Sequence, residues 1–182
     1  MAHQFTASYV EDSLTLFRQC KSLGEKALAQ VTDDELTQTL DPESNSIAVI
    51  VKHLAGNMRS RWTDFLTSDG EKPHRNRDSE FEAPPSTRAA LMETWASGWK
   101  CVFAALETLT EADLARTVYI RAEPHSVMQA INRQMAHYAG HVGQIVFLAK
   151  HFRSSEWRSL SIPRGKSADF NLKVARGEAS QR

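Results

Sequence analysis

The chain has 182 residues, and its 22 Lys and Arg residues balance its 22 Asp and Glu residues, so the formal net charge is zero. This length suits one domain whose core needs no disulfides. The balanced charge argues against a nucleic-acid-binding surface, and no apolar run approaches the roughly 20 residues that span a bilayer. Cys20 and Cys101 form no CxxC pair. With no signal-peptide pattern at the N-terminus, we expect a cytoplasmic protein without nucleic-acid or membrane partners.

The first half of the chain predicts two long helices with a short helical turn between them. Apolar residues recur every three to four positions over residues 4–30 and again over residues 46–66. Thr32, followed three residues later by Glu35, is typical of a capping box that opens a short helix. The polar segment 67–84 is longer than most helix–helix loops, so we expect a crossover or a functional connection.

The second half repeats this order. Periodicity predicts a third helix over residues 86–109 and a fourth over residues 126–152, and Thr110 repeats the turn signature of the first half. Residues 117–120 predict a short extended piece before the fourth helix. We expect residues 1–172 to form a single domain and residues 173–182 to form a disordered polar tail.

The fourth predicted helix contains a histidine pair with metal-binding spacing. His137 and His141 are four residues apart and therefore lie on one helix face, where two imidazoles can bind one ion. A third histidine stands in the second predicted helix, where His53-Leu-Ala-Gly-Asn57 echoes His137-Tyr-Ala-Gly-His141. The simpler alternative is that the pair consists of unrelated surface histidines. Ala139 and Gly140 favour the metal site, because small residues let another helix come close.

The internal repeat predicts the architecture. Two helical hairpins related by a pseudo-twofold axis form an all-α four-helix bundle, with segment 67–84 as its one long crossover. This arrangement brings the second and fourth helices together, so that His53 faces His137 and His141.

Three imidazoles with an open fourth position are typical of a catalytic zinc site, although imidazole also suits nickel, cobalt, copper and iron. A zincin needs Glu beside the first ligand, where this chain has Tyr138, and the histidine strips carry no carboxylates for a di-iron site. Asn57, Gln144 and Tyr138 are candidates to support the ligands, and the alternative is that they are ordinary helix residues. A basic stretch within residues 72–77 either binds an anionic group of a substrate or is a solvated loop.

The helical pattern with its histidine motif resembles the DinB/YfiT-like superfamily, and two flanking stretches, Ser46–Trp62 and Leu160–Gly165, resemble one bacterial subgroup of it. The similarity covers roughly residues 5–171. The residues that carry it within the motif are His53, His137, His141, Gly143 and Gln144.

The resemblance implies an up-down-down-up bundle, a divalent metal held by the three histidines, most simply zinc or nickel, and often a homodimer. Characterised relatives use low-molecular-weight thiols in S-transfer or isomerisation. The resemblance therefore implies a metal-dependent S-transferase that acts on a small-molecule substrate with a thiol as cofactor. Two alternatives stay open, a metal-dependent hydrolase and a metal-stabilised binding protein without enzymatic activity.

Overall fold

The computed structural model describes residues 8–180, and this part of the chain is mostly helical with one small antiparallel sheet. The two strands, β1 (Thr117–Ile120) and β2 (Glu123–Ser126), precede the longest helix. The helices of the described part are α1 (Tyr9–Leu28), α2 (Asp33–Thr37), α3 (Ile47–Trp62), α4 (Arg88–Leu106), α5 (Val127–Arg153) and α6 (Ser167–Ala175). The four long helices that periodicity predicted are therefore present.

Side-chain caps fix where the helices begin. Thr32 and Glu35 form the predicted capping box at α2, and the Ser46 hydroxyl accepts from the backbone N–H of Val49 at the start of α3. Ser126 forms a further capping box with Gln129, which starts α5. These caps satisfy backbone N–H groups that have no partner inside a helix.

The core lies between the four long helices. The closest pairs are α3 with α4 and α1 with α5, and α3 also contacts α5. A Cβ atom at Gly98 in α4 would lie 2.9 Å from the Cα atom of Ala55 in α3, so glycine allows these two helices their close approach. Helix α3 is buried almost all round, and its buried set includes the polar residues His53, Asn57, Ser60 and Arg61. Buried polar side chains need partners, so this helix organises the polar site described below.

The small sheet is an addition to the predicted all-α fold. Strand β1 coincides with the predicted extended piece, but the hairpin to β2 was not expected. Arg121 and Ala122 both have positive φ angles, of 58° and 62°, as a tight two-residue hairpin turn requires. The Asp69 carboxylate accepts from the backbone N–H groups of both residues, at 2.8 and 2.7 Å, and so ties the hairpin to the long connection.

The C-terminal end also differs in detail from the expected boundary. Helix α6 spans Ser167–Ala175, so the boundary expected at residue 172 falls inside a helix. Between residues 8 and 180, no helix has both the length and the apolar character needed to cross a bilayer.

Candidate metal centre

The three predicted ligand histidines come together between α3 and α5. The Nε2 atom of His137 lies 3.4 Å from Nε2 of His53 and 3.1 Å from Nε2 of His141. One ligand atom from each residue lies within 4.8 Å of the others, so the group can hold a metal ion. Tetrahedral zinc holds imidazole nitrogens at about 2.0–2.1 Å, which places two of them roughly 3.3 Å apart. The two measured separations fit that geometry.

The partners of the outer ring nitrogens favour a cation between the rings. His53 Nδ1 lies 2.9 Å from the Glu80 carboxylate, and His141 Nδ1 lies 2.8 Å from the side-chain oxygen of Gln144. An oxygen acceptor places the ring proton on Nδ1, so the Nε2 lone pairs of these two histidines are free to face the centre. Lone pairs that converge in this way repel each other unless a cation or a proton lies between them. The donor set therefore fits a divalent metal.

Glu80 was not predicted from the sequence. It lies in a short 3₁₀ turn, Asp78–Phe81, within the long connection, and it is 6% exposed. The Arg75 guanidinium donates to both of its oxygens, at 2.8 and 2.9 Å, and the Lys52 ammonium donates to the carbonyl oxygen of Ser79 beside it. The connection 67–84 thus brings a carboxylate to the outer face of a ligand histidine.

The pKa of Glu80 fits this role. Burial alone raises the pKa of the carboxyl, but hydrogen bonds from His53 and Arg75, together with the Arg75 charge, outweigh burial and leave the pKa below its ordinary value. Glu80 is thus a carboxylate at neutral pH and can accept the His53 proton.

Glycine at position 56 makes room for this carboxylate. A Cβ atom at Gly56 would lie 2.3 Å from Glu80 Oε1. At Gly140, the matching position of the repeat, a Cβ atom would meet no other part of the described chain within 4 Å. The expectation that Ala139 and Gly140 admit a neighbouring helix is therefore wrong within this chain, since both residues are exposed. The close approach occurs in the other copy of the motif.

The three predicted supporting residues have different surroundings. Gln144 hydrogen-bonds a ligand histidine, as described above. The Tyr138 hydroxyl donates to Asn57 Oδ1 at 3.1 Å and accepts from Trp62 Nε1 at 2.9 Å, which forms a buried chain between α3 and α5. Within the described residues, neither Tyr138 nor Asn57 hydrogen-bonds an imidazole of the site. Their part in any chemistry stays a prediction.

Comparison with known families gives one match. Residues 4–166 match the family described as protein of unknown function (DUF1572), which covers most of the chain. The chain belongs to the DUF1572 family. A search of curated proteins finds no match. The DUF1572 match spans every residue of the three-histidine site and its Nδ1 partners, and it ends just before α6.

The three histidines of the DUF1572 site line a cavity of about 440 Å³, which is within the size range of small-molecule sites. Only some residues of the predicted basic stretch 72–77 line this cavity. Arg75 and Arg77 line the cavity, whereas Lys72 is buried and donates to Ser68 Oγ and to the Asp69 carbonyl oxygen, both at 2.6 Å. The reading of the whole stretch as a solvated loop is therefore wrong for Arg75 and Lys72, while His74 is exposed.

The ligand histidines give the metal-free DUF1572 chain a predictable pH dependence. Burial, with the charges of the neighbouring histidines, lowers the pKa of His137 from 6.5 to about 3, and burial lowers that of His141 despite its bond to Gln144. The unfolded chain thus binds protons near pH 6.5 that the folded chain binds only at lower pH. These two histidines therefore do not lower the stability of the metal-free chain above about pH 6.5, and they should lower it progressively as the pH drops towards about 3.

This prediction is checked by melting the chelator-treated protein across that pH window. A His137→Ala variant should lose less stability over the same interval, because one of the depressed groups is gone. If the melting temperatures of the two proteins fell equally with pH, the lowered pKa assigned to His137 would be wrong. Acid should also release a bound ion, since protons compete for the same nitrogens.

Proposed function

We propose that this chain is a divalent-metal-dependent enzyme that acts on a small molecule. The observation that carries the proposal is that three histidines line one cavity of small-molecule size, and the Nε2 atom of His137 lies at a tetrahedral-ligand distance from the Nε2 atoms of both others. Zinc and nickel both suit three imidazoles, and three protein ligands leave a position for a substrate. A closed site that served only to fix helices would need no cavity beside it.

We propose further that the enzyme is an S-transferase that uses a low-molecular-weight thiol. The support is the resemblance of the histidine motif to the DinB/YfiT-like superfamily. When bound, the ion supplies Lewis-acid chemistry and lowers the pKa of a thiol at the open position. The chain itself contributes orientation: Glu80 holds the proton of His53 on Nδ1, and Gln144 does the same for His141. Cys20 is not a suitable protein nucleophile, because burial raises the pKa of its thiol to about 11.

The reaction joins the thiol sulfur to an electrophilic carbon of the acceptor. A carbon–sulfur bond forms, the bond from that carbon to its leaving group breaks, and the leaving group departs with the bonding electron pair. The proton of the thiol goes to solvent. The products are a thioether, the leaving group as an anion, and a proton, so no oxidant or reductant is required.

The test is turnover of a chloro-aromatic acceptor by the metal-loaded protein with a panel of low-molecular-weight thiols. We expect chloride release that needs both the metal and one of the thiols. A protein that keeps its metal but turns over no acceptor with any thiol would refute the S-transferase. Metal-dependent turnover of an ester, amide or phosphoester without thiol would instead identify the hydrolase. Absence of both, with a large fall in melting temperature on metal removal, would identify a metal-stabilised binding protein.

We propose an up-down-down-up bundle for the four long helices, in which the connection 67–84 is the crossover. We also propose that the chain forms a homodimer, as the resemblance implies. The exposed face of α5 supports a helix-to-helix contact, because a Cβ atom at Gly140 or Gly143 would meet nothing within 4 Å and Phe147 is 61% exposed. Sedimentation velocity measures the oligomeric state directly.

A further inference from the structure

The cavity beside the three histidines has an unusually basic wall. Its described lining contains no Asp or Glu side chain. The arginines in that lining come from four separate parts of the chain, namely α3, the long connection, the β1–β2 turn and α5. They are Arg61, Arg75, Arg77, Arg121 and Arg133.

The carboxylates behind this wall neutralise only part of its charge. Glu71 is shared between three guanidinium groups, at 2.9 Å from Arg61, 3.2 Å from Arg75 and 3.1 Å from Arg121. Glu80 is already committed to Arg75 and to the proton of His53. Five arginines therefore line the cavity, and Glu71 and Glu80 pair with three of them, Arg61, Arg75 and Arg121. A bound divalent ion would add further positive charge.

Two of the arginines remain available for a ligand. Arg133 makes no hydrogen bond or ion pair with any described residue, and it lies one turn before His137 on the same face of α5. Among the described residues, the Arg77 guanidinium pairs only with the exposed carboxylate of Asp78, at 4.0 Å. Its guanidinium lies 5.0 Å above the Phe81 ring, and that ring lies 4.8 Å from the His53 ring. The Arg77 guanidinium is thus one ring away from the His53 imidazole, and Arg133 lies one helical turn from His137.

A buried amide in the same wall also lacks a partner. Gln134 is 4% exposed, lines the cavity, and has a side-chain oxygen without a hydrogen-bond partner among the described residues. Buried polar atoms are nearly always paired in folded proteins. This oxygen needs a donor, which a water molecule or an N–H or O–H group of a ligand can supply.

We infer that the cavity binds a substrate with a compact anionic group, a carboxylate or a phosphate, which Arg133 and Arg77 hold beside the three-histidine centre. Guanidinium groups bind such oxyanions through paired, charge-assisted hydrogen bonds. Arg77 and Arg133 are both exposed, so a ligand can reach their guanidinium groups from the cavity. The inference rests on the proposed function, because the same cavity serves both. It adds that neutral acceptors of equal size are poor substrates.

The test uses malonate and inorganic phosphate as probes, with neutral malonamide as the size-matched comparison for malonate. Calorimetric titration of the zinc-loaded protein should show binding of at least one anion and much weaker binding of malonamide. Preference between malonate and phosphate assigns the group as carboxylate or phosphate. The double variant Arg133→Gln/Arg77→Gln should weaken anion binding by about tenfold or more, since charge-assisted hydrogen bonds are lost. Arg18→Gln is the control, because Arg18 lies outside the cavity and pairs with exposed Glu107.

Metal content measured on the same samples separates the two proposals. A wild-type protein that binds no divalent metal contradicts the proposed function, whatever the anions do. A protein that holds its metal overturns the present inference if neither malonate nor phosphate binds more tightly than malonamide. It also overturns the inference if the double variant binds anions as tightly as Arg18→Gln, since the ion alone would then account for the binding.

Discussion

Replacing His137 with alanine is expected to abolish stable metal binding while the chain stays folded. His137 is the central ligand of the group, with Nε2 3.4 Å from that of His53 and 3.1 Å from that of His141. Loss of a residue that merely hydrogen-bonds a ligand costs about 10–100-fold in metal affinity. Loss of the ligand itself should cost at least about 100-fold by the same scale. Competition with a chelating indicator, together with elemental analysis of the purified variant, measures the effect.

The variant should fold because His137 contributes little to the metal-free structure. Its Nδ1 atom makes no hydrogen bond with a described residue, and burial already holds its pKa at about 3, so the ring is neutral and poorly solvated. Metal-free wild type and His137→Ala should therefore melt at similar temperatures. Added zinc should raise only the wild-type melting temperature, because an ion that binds the folded state alone stabilises it by mass action.

His151→Ala is the matched control for this variant. His151 lies on the same helix, α5, and is exposed outside the site, so its removal should leave both metal content and zinc-dependent stabilisation unchanged. If His137→Ala keeps one equivalent of metal at wild-type affinity, the three-histidine site is wrong. If the metal-free variant fails to fold while metal-free wild type folds, the ring has a structural role that its contacts do not explain.

The three-histidine cluster was predictable because each signal is local or repeated. His137 and His141 share one helix face at a spacing that α-helical geometry alone brings together. His53 was found through the internal echo around Gly56, and the capping box at Thr32 was read from the residue types alone. Each of these signals can be recognised in the sequence itself, as a short spacing or as a repeated motif.

The partners of the ligands were harder to predict. Glu80 lies 27 residues from His53 in a connection without periodicity, and only the path of that connection brings the carboxylate to the ring. Arg75 lies in the basic stretch 72–77, for which a solvated loop was one of the two interpretations. It donates two hydrogen bonds to the Glu80 carboxylate. The β1–β2 hairpin was missed in part because its docking depends on Asp69, which caps the turn from the same connection. Glu80, Arg75 and Asp69 all lie in an irregular segment. Such a segment has no hydrophobic periodicity from which the positions of its side chains could be predicted.

Replacing Glu80 with alanine is expected to weaken both the fold and the metal site. Glu80 is a buried carboxylate that pairs with Arg75, whose side chain is only 5% exposed. Removal of one partner of a buried ion pair typically costs about 3–5 kcal/mol. Arg75 keeps Glu71 at 3.2 Å, so we expect a loss near the lower end, about 3 kcal/mol of unfolding free energy. Chemical denaturation measures this loss, and Glu82→Gln controls for removal of an exposed charge from the same connection.

Metal affinity should fall by about 10–100-fold in Glu80→Ala, because His53 loses the acceptor that fixes its orientation and proton position. Gly56→Ala tests the same contact without removing the carboxylate. Its new Cβ atom would lie 2.3 Å from Glu80 Oε1, so the carboxylate must shift from the position in which it accepts from His53. Alanine favours a helix over glycine by about 0.5–1 kcal/mol, so a weaker metal site cannot be blamed on helix propensity.

Gly140→Ala is the matched control for Gly56→Ala, since it makes the same substitution at the equivalent position of the repeat, where the added methyl group meets no described atom of this chain within 4 Å. We expect Gly140→Ala to bind metal like wild type and Gly56→Ala to bind it in the range of Glu80→Ala. Equal affinities for the two glycine variants would mean that the Glu80 carboxylate does not hold His53 for the metal. If only Gly56→Ala loses metal affinity, the Glu80 carboxylate supports metal binding, and the long connection between α3 and α4 contributes to the metal centre through it.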